Sequence, residues 1–319
     1  MTRRARLAVL GTAALLALAA MLACAWLLRD PEPTFRARRS HLAAVTEGAP
    51  TRDGASVEQE VRLRAASGLE ITLGVRRPAA GDSGRRVLFL LLGGHQRGRD
   101  AGKFVGETRG AVIASLEYPY RGDPEAKGLA VVAQVPAIRQ ALFDTPPAVL
   151  LALDYLLARS DVDSARVELV GASFGAPFAT IAAALDPRVT RLWLLQGGGE
   201  PYALFNRGLA DDIGFAPARA AVAALATLLA SGPRLAPERW IARVSPRPVV
   251  MINGLADDRI PRHAVETLYR AAREPKELTW LSAQHMQPNR PEVLRALAEA
   301  VLDRAARPAA VRDPGARSR

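Results

Sequence analysis

The chain has 319 residues and a net charge of +11, from 43 Lys and Arg against 32 Asp and Glu. Hydrophobic residues make up 49% and charged residues 24%, which provides ample material for a core and excludes a wholly disordered chain. The single cysteine, Cys24, excludes an intrachain disulfide.

The charge sits mostly at the ends. Residues 1–40 carry seven Arg against Asp30 and Glu32, a net of +5. Residues 303–319 carry five Arg against Asp303 and Asp313, a net of +3, leaving a body of only +3. No Arg cluster is interleaved with aromatic residues, and no Cys/His spacing matches a zinc module. The expectation is therefore a protein with no nucleic-acid partner and no metal.

Residues 7–28 run for 22 positions without a charge, behind Arg3, Arg4 and Arg6. As a helix this run is about 33 Å long, enough to cross a hydrocarbon core. Its length, and its continuation past Ala23-Cys24-Ala25, favour an uncleaved signal anchor over 1–28 against a cleaved leader. A lipoprotein acylated on Cys24 is the third reading. The very short N-terminal side favours export of the remainder to the periplasmic or other extracytoplasmic side. Residues 29–55, with Pro31, Pro33, Pro50 and several Arg, read as a tether.

From residue 56 the pattern is that of one α/β domain reaching 306. Stretches 57–63 and 69–75 alternate apolar and polar residues around Ser67-Gly68, which predicts a hairpin. Short apolar runs at 87–92, 111–116, 167–170, 192–195 and 248–253 read as strands buried on both faces, hence a mostly parallel sheet flanked by helices. Helices are expected from Pro146 (capped by Asp144-Thr145), from Pro261, and from Pro291 to about Ala306. Residues 200–243 contain helical stretches near 217–230 and 237–244 and no strand. This small helical insertion would be a lid, with Leu204, Phe205, Ile213, Phe215 and Leu225 favouring an apolar acyl group, or a plain connection. An Arg/Ala/Pro-rich disordered tail is expected over 307–319.

After the strand at 167–170 comes Gly171-Ala172-Ser173-Phe174-Gly175 and then a small-residue helical run. This is G-x-S-x-G in the strand–turn–helix setting that lifts a serine hydroxyl above a sheet edge. A serine needs a base. His41 lies in the expected tether and His263 opens a helix. His285 lies in a loop after a short strand at 278–281, at the edge where Ser173 also lies, and is the expected base. An acid must orient that imidazole. Asp257 and Asp258 both follow Asn253-Gly254-Leu255-Ala256, and the spacing to Gly254 and Pro261 favours Asp257.

The elbow Gly171–Gly175, the order Ser173, Asp257, His285 and the segment 253–261 resemble the α/β-hydrolase superfamily, particularly its dienelactone-hydrolase and acyl-peptidase-like serine hydrolases. The resemblance covers about 57–306. Gln284 replaces the glycine that commonly precedes the family's histidine. The resemblance implies an α/β-hydrolase fold and an oxyanion hole formed by the N–H of Phe174 and one from the loop Gly93-Gly94-His95-Gln96. Aligning the glycines makes His95 the second donor, with Gln96 next. It also places Tyr118, Tyr120 and Arg121, with Gln96, near a substrate pocket, or in structural packing.

The sequence thus predicts a membrane-tethered serine hydrolase cleaving an ester, thioester or amide of a small-molecule or lipid-like acyl substrate, without a cofactor. An envelope acyltransferase using the same residues, or a non-catalytic binding protein on this fold, are the alternatives. The intact order of Ser173, Asp257 and His285 argues against the last.

Overall fold

The short apolar runs form the middle of a sheet in the computed structural model, which describes residues 11–306 apart from 13, 16, 19, 20, 23, 26, 80–83, 95–97, 127 and 129. Its strands are β1 (Leu42–Glu47), β2 (Thr51–Asp53), β3 (Ser56–Ala65), β4 (Glu70–Pro78), β5 (Arg86–Leu92), β6 (Val112–Leu116), β7 (Val162–Ala172), β8 (Arg191–Leu195), β9 (Val249–Gly254) and β10 (Lys276–Leu281). The spatial order is β1-β3-β4-β6-β5-β7-β8-β9-β10, with β2 on β3. Pairs from β6 through β5 to β10 are parallel, while the β3–β4 hairpin joins β6 antiparallel. The chain order reverses around β5, and ligands bind at such reversals, beyond the carboxyl ends of parallel strands.

Period-2 alternation divides the core between the two faces of the sheet. Leu88, Leu90 and Leu92 of β5 join one apolar cluster with α2 (Ala130–Leu157), α3 (Ala176–Leu185) and α7 (Arg262–Ala271). Phe89 faces the opposite cluster, which includes Trp193 of β8 and Val293, Leu297 and Val301 of α8 (Pro291–Ala305). Burial on both faces explains why these strands are apolar without interruption.

The expected tether is instead part of the fold. Residues 29–55 contain α1 (Glu32–Arg39) and the strands β1 and β2, so the sheet begins at Leu42 rather than after residue 55. Phe35 is fully buried, its ring 5.9 Å from Phe143 and 6.1 Å from Trp240. Arg38 makes a two-pronged contact with Asp144 at 2.7 and 2.8 Å, and Arg39 holds Asp154. A helix of eight residues with one buried side chain gives no readable period, and its carboxylate partners Asp144 and Asp154 are more than 100 residues away.

The helix expected to open at Pro146 starts at Ala130 and contains Pro136, Pro146 and Pro147. Asp144 and Thr145 are therefore interior residues, not a cap. The Thr145 hydroxyl donates to the Ala141 carbonyl at 2.7 Å, and continuous burial from Asp144 to Leu153 outweighs the donors lost at the prolines.

No helix among the described residues is long and apolar enough to cross a membrane. Within 7–28, residues 7–10, 13, 16, 19, 20, 23 and 26 lie outside the described residues, while Leu15, Leu18, Met21 and Leu22 are exposed. The expected tail over 307–319 also lies outside them. Residues 200–243 form α4 (Pro201–Gly208), α5 (Ala216–Leu229), α6 (Gly232–Leu235) and two 3₁₀ turns, as expected without a strand.

Candidate active site

β7 delivers Ser173 to the carboxyl edge of the sheet through a turn that only small neighbours allow. Ser173 has φ +50°, in the left-handed region. A Cβ on Gly171 would stand 2.7 Å from the Ala179 Cβ, and one on Gly175 would strike the Leu92 carbonyl. The turn therefore presses the start of α3 against β7 and β5, leaving the Ser173 side chain to project from the edge.

The loop after β10 brings His285 to it. Ser173 Oγ lies 2.9 Å from His285 Nε2, and His285 Nδ1 lies 2.8 Å from Asp257 Oδ2. The other Asp257 oxygen accepts the N–H groups of Arg259 and Ile260, each at 2.9 Å. Side-chain exposure is 8% for His285 and 3% for Asp257, so the chain of hydrogen bonds is shielded from water up to the serine. Of the two candidate acids, Asp257 occupies the position beside the imidazole and Asp258 is exposed. His263 lies apart, exposed and 3.3 Å from Glu200.

One residue of the site carries almost no local signature in the sequence. Gln196, fully buried with φ +47° directly after β8, donates from Nε2 to the Gln284 carbonyl at 2.7 Å and accepts the Met286 N–H. The two peptide groups flank His285. A polar residue directly after the apolar run 192–195 is the only local sign of this role.

The expected oxyanion region is described in part. Phe174, directly after the serine, packs edge-on against Tyr118 and Phe178, with centroids 5.2 and 5.3 Å away. The Tyr118 hydroxyl donates to the Gly93 carbonyl at 2.5 Å, tying down the loop after β5. Burial pushes the Tyr118 phenol well above its ordinary value, so it stays a donor. His95 and Gln96 lie outside the described residues.

Tyr120 and Arg121, expected near the substrate, border a separate groove beside β3 and β4 instead. Arg121 reaches Glu70 at 3.1 Å, and the Tyr120 hydroxyl bonds the Asp123 carbonyl at 3.3 Å. Neither residue belongs to the described lining of the cavity at Ser173, and their partners in the groove are not encoded in local sequence.

A cavity of about 560 Å³ adjoins Ser173 and His285. Its described lining comes from the ends of β5, β7 and β8, the 3₁₀ segment Gly98–Val105, the histidine loop and α8. No residue of 200–243 belongs to that lining, and Phe205, Phe215 and Leu225 are solvent-exposed, so the helical insertion does not contribute to the described wall of this cavity. Among the described residues no group of three or more His, Cys, Asp or Glu could hold a metal ion.

No family model matches the chain. It is 30% identical over 174 residues to the uncharacterized protein YfhR of Salmonella typhi, which covers 50% of each chain. It is 31% identical over 162 residues to YfhR of Escherichia coli K12, covering 50% of this chain and 49% of that one. The chain thus spans about half the length of the curated relatives it matches. Among solved structures it resembles acetyl xylan esterase 1 from Thermoanaerobacterium, with a TM-score of 0.59 at 16% identity over 86% of this chain and 93% of that one. It also resembles a cold-adapted esterase from an Arctic intertidal metagenomic library, with a TM-score of 0.57 at 18% identity over 82% of this chain and 99% of that one. At such identities the likeness is one of fold: the chain has an α/β-hydrolase fold.

Proposed function

We propose that the protein is a serine esterase working through Ser173, His285 and Asp257. The observation that carries this reading is the continuous chain from Ser173 Oγ to His285 Nε2 and from His285 Nδ1 to Asp257, at 2.9 and 2.8 Å. In the first half-reaction Ser173 Oγ attacks the ester carbonyl while His285 Nε2 takes its proton. The oxyanion is held by the N–H of Phe174 and a second N–H from the loop after β5, with His95 as the expected donor. The tetrahedral intermediate collapses as the same proton passes from Nε2 to the departing alkoxide oxygen. Water then attacks the acyl-serine, losing a proton to His285 Nε2, and that proton passes to Ser173 Oγ as the acid leaves, regenerating both residues. Asp257 fixes the tautomer that leaves Nε2 free to accept and stabilises the imidazolium in both halves. Esterases among the structurally similar proteins, acetyl xylan esterase 1 included, agree with this chemistry.

The 22-residue apolar run at 7–28 and its flanking Arg support a membrane-anchored enzyme with its body on the extracytoplasmic side. Because α1 is docked on the body, a span ending near Leu28 would hold the domain close to the lipid surface rather than on a long leash.

The chemistry is tested by hydrolysis of p-nitrophenyl acetate by purified variants. Asp257→Asn lowers kcat by about four orders of magnitude, while Asp258→Asn stays within about two-fold of the parent. Equal effects of the two substitutions would refute the assignment of the acid. A reporter enzyme fused after Arg319, active only outside the cytoplasm, tests the orientation.

A further inference from the structure

The cavity at Ser173 is larger and more apolar than a short acyl group requires. It runs between the sheet and α8, with Phe89 and Ile113 on one wall and Leu294, Leu297, Val301 and Leu302 on the other. The α8 positions are spaced i, i+3, i+7, i+8, one stripe of a helix face. That stripe rises about 12 Å from Leu294 to Leu302, leading away from the histidine loop that α8 follows. The charged or amide-bearing side chains in the described lining are His285, Arg259 and Gln287. The last two lie within two residues of Asp257 and His285, so the polar side chains of the described lining are gathered toward the site of cleavage, and the α8 stripe offers only hydrocarbon.

We propose that this cavity seats the acyl chain of the substrate, making the preferred substrate an ester of a straight-chain fatty acid of about eight to ten carbons, the reach of the α8 stripe. The inference rests on Ser173 being the nucleophile. The chain is assigned to the acyl half because that half remains on Ser173 through both half-reactions. An apolar alcohol seated there would have to withdraw from the cavity before water could reach the acyl-serine. Each methylene buried in the transition state raises kcat/KM by up to about four-fold.

The test is the acyl-length dependence of kcat/KM, using p-nitrophenyl acetate, butyrate, octanoate and decanoate, with fluorophosphonate labelling of Ser173 monitored in each variant. Decanoate is expected to exceed acetate by about a hundred-fold or more. Val301→Phe, which fills the cavity, is expected to cut the decanoate-to-acetate ratio by about ten-fold or more, and the milder Ala298→Leu to lower it less. Ethyl decanoate is expected to be cleaved faster than the reversed ester, decyl acetate. Preference for acetate in protein that still labels at Ser173 overturns the proposal, as does a ratio unmoved by both variants. Faster cleavage of decyl acetate overturns the acyl assignment. Loss of both labelling and hydrolysis at every chain length in folded parent protein refutes the esterase reading itself.

Discussion

Gln196 brackets His285. Its amide holds the Gln284 carbonyl at 2.7 Å on one side of the histidine and the Met286 N–H on the other. The loop after β10 has no regular structure of its own, so the imidazole's aim depends on this clamp and on Asp257. Gln196→Leu keeps the bulk but removes both bonds. It is expected to lower kcat on p-nitrophenyl esters by about ten- to hundred-fold with KM changed less than about three-fold. A rise in KM with kcat preserved would assign Gln196 to substrate binding instead.

Tyr118 acts on the opposite side of the serine. Its hydroxyl restrains the peptide between Gly93 and Gly94, at the start of the loop expected to supply an oxyanion donor. Tyr118→Phe preserves the packing against Phe174 and removes that bond. A fall in kcat of about ten-fold is expected, less than the loss of an oxyanion donor itself. Because burial raises the phenol's pKa, the alkaline limb of the parent's pH–rate profile is expected to persist in the variant.

Phe35 tests whether the segment before β1 belongs to the fold. Its ring is fully buried against Phe143 and Trp240. Phe35→Ala is expected to lower the urea-unfolding free energy by about 3 kcal/mol, the low end for removal of a buried aromatic ring. A change below about 0.5 kcal/mol would mean that α1 is a passive linker.

Asp186, at the end of α3, supplies a pH signature. Burial alone would raise its carboxyl, but the side-chain and backbone hydrogen bonds of Arg188 outweigh burial and hold it below the ordinary carboxylate value. A carboxyl with a depressed folded-state pKa adds stability above its unfolded value, about 3.9, and loses it as pH falls through the folded value. Asp186→Asn is therefore expected to cost about 1–3 kcal/mol between pH 6 and 8, with the difference between variant and parent shrinking as pH falls below about 4. A pH-independent difference in urea stability would contradict this.

The parallel strands and the elbow are legible because each is a local pattern, and Asp257 and His285 because each follows a strand at the edge where the elbow lies. Apolar runs mark strands buried on both faces, and Gly171 and Gly175 mark a turn with no room for a Cβ. What was not legible depends on distant partners. α1 is fixed by Asp144 and Asp154 across more than 100 residues, and α2 continues through three prolines because burial outweighs their local preference. Gln196 acquires its role only when β8 and β10 place their ends together at the sheet edge. Tyr120 and Arg121 stand where expected in sequence, but they border another groove.

Ser173 as nucleophile is tested most directly by peptide mass spectrometry after treatment with a fluorophosphonate, comparing the parent with Ser173→Ala and His285→Ala. A single adduct is expected on the peptide containing Ser173, absent in Ser173→Ala and formed at least about a hundred-fold more slowly in His285→Ala. Folded parent protein that takes no adduct at Ser173, or that labels equally well without His285, would contradict it.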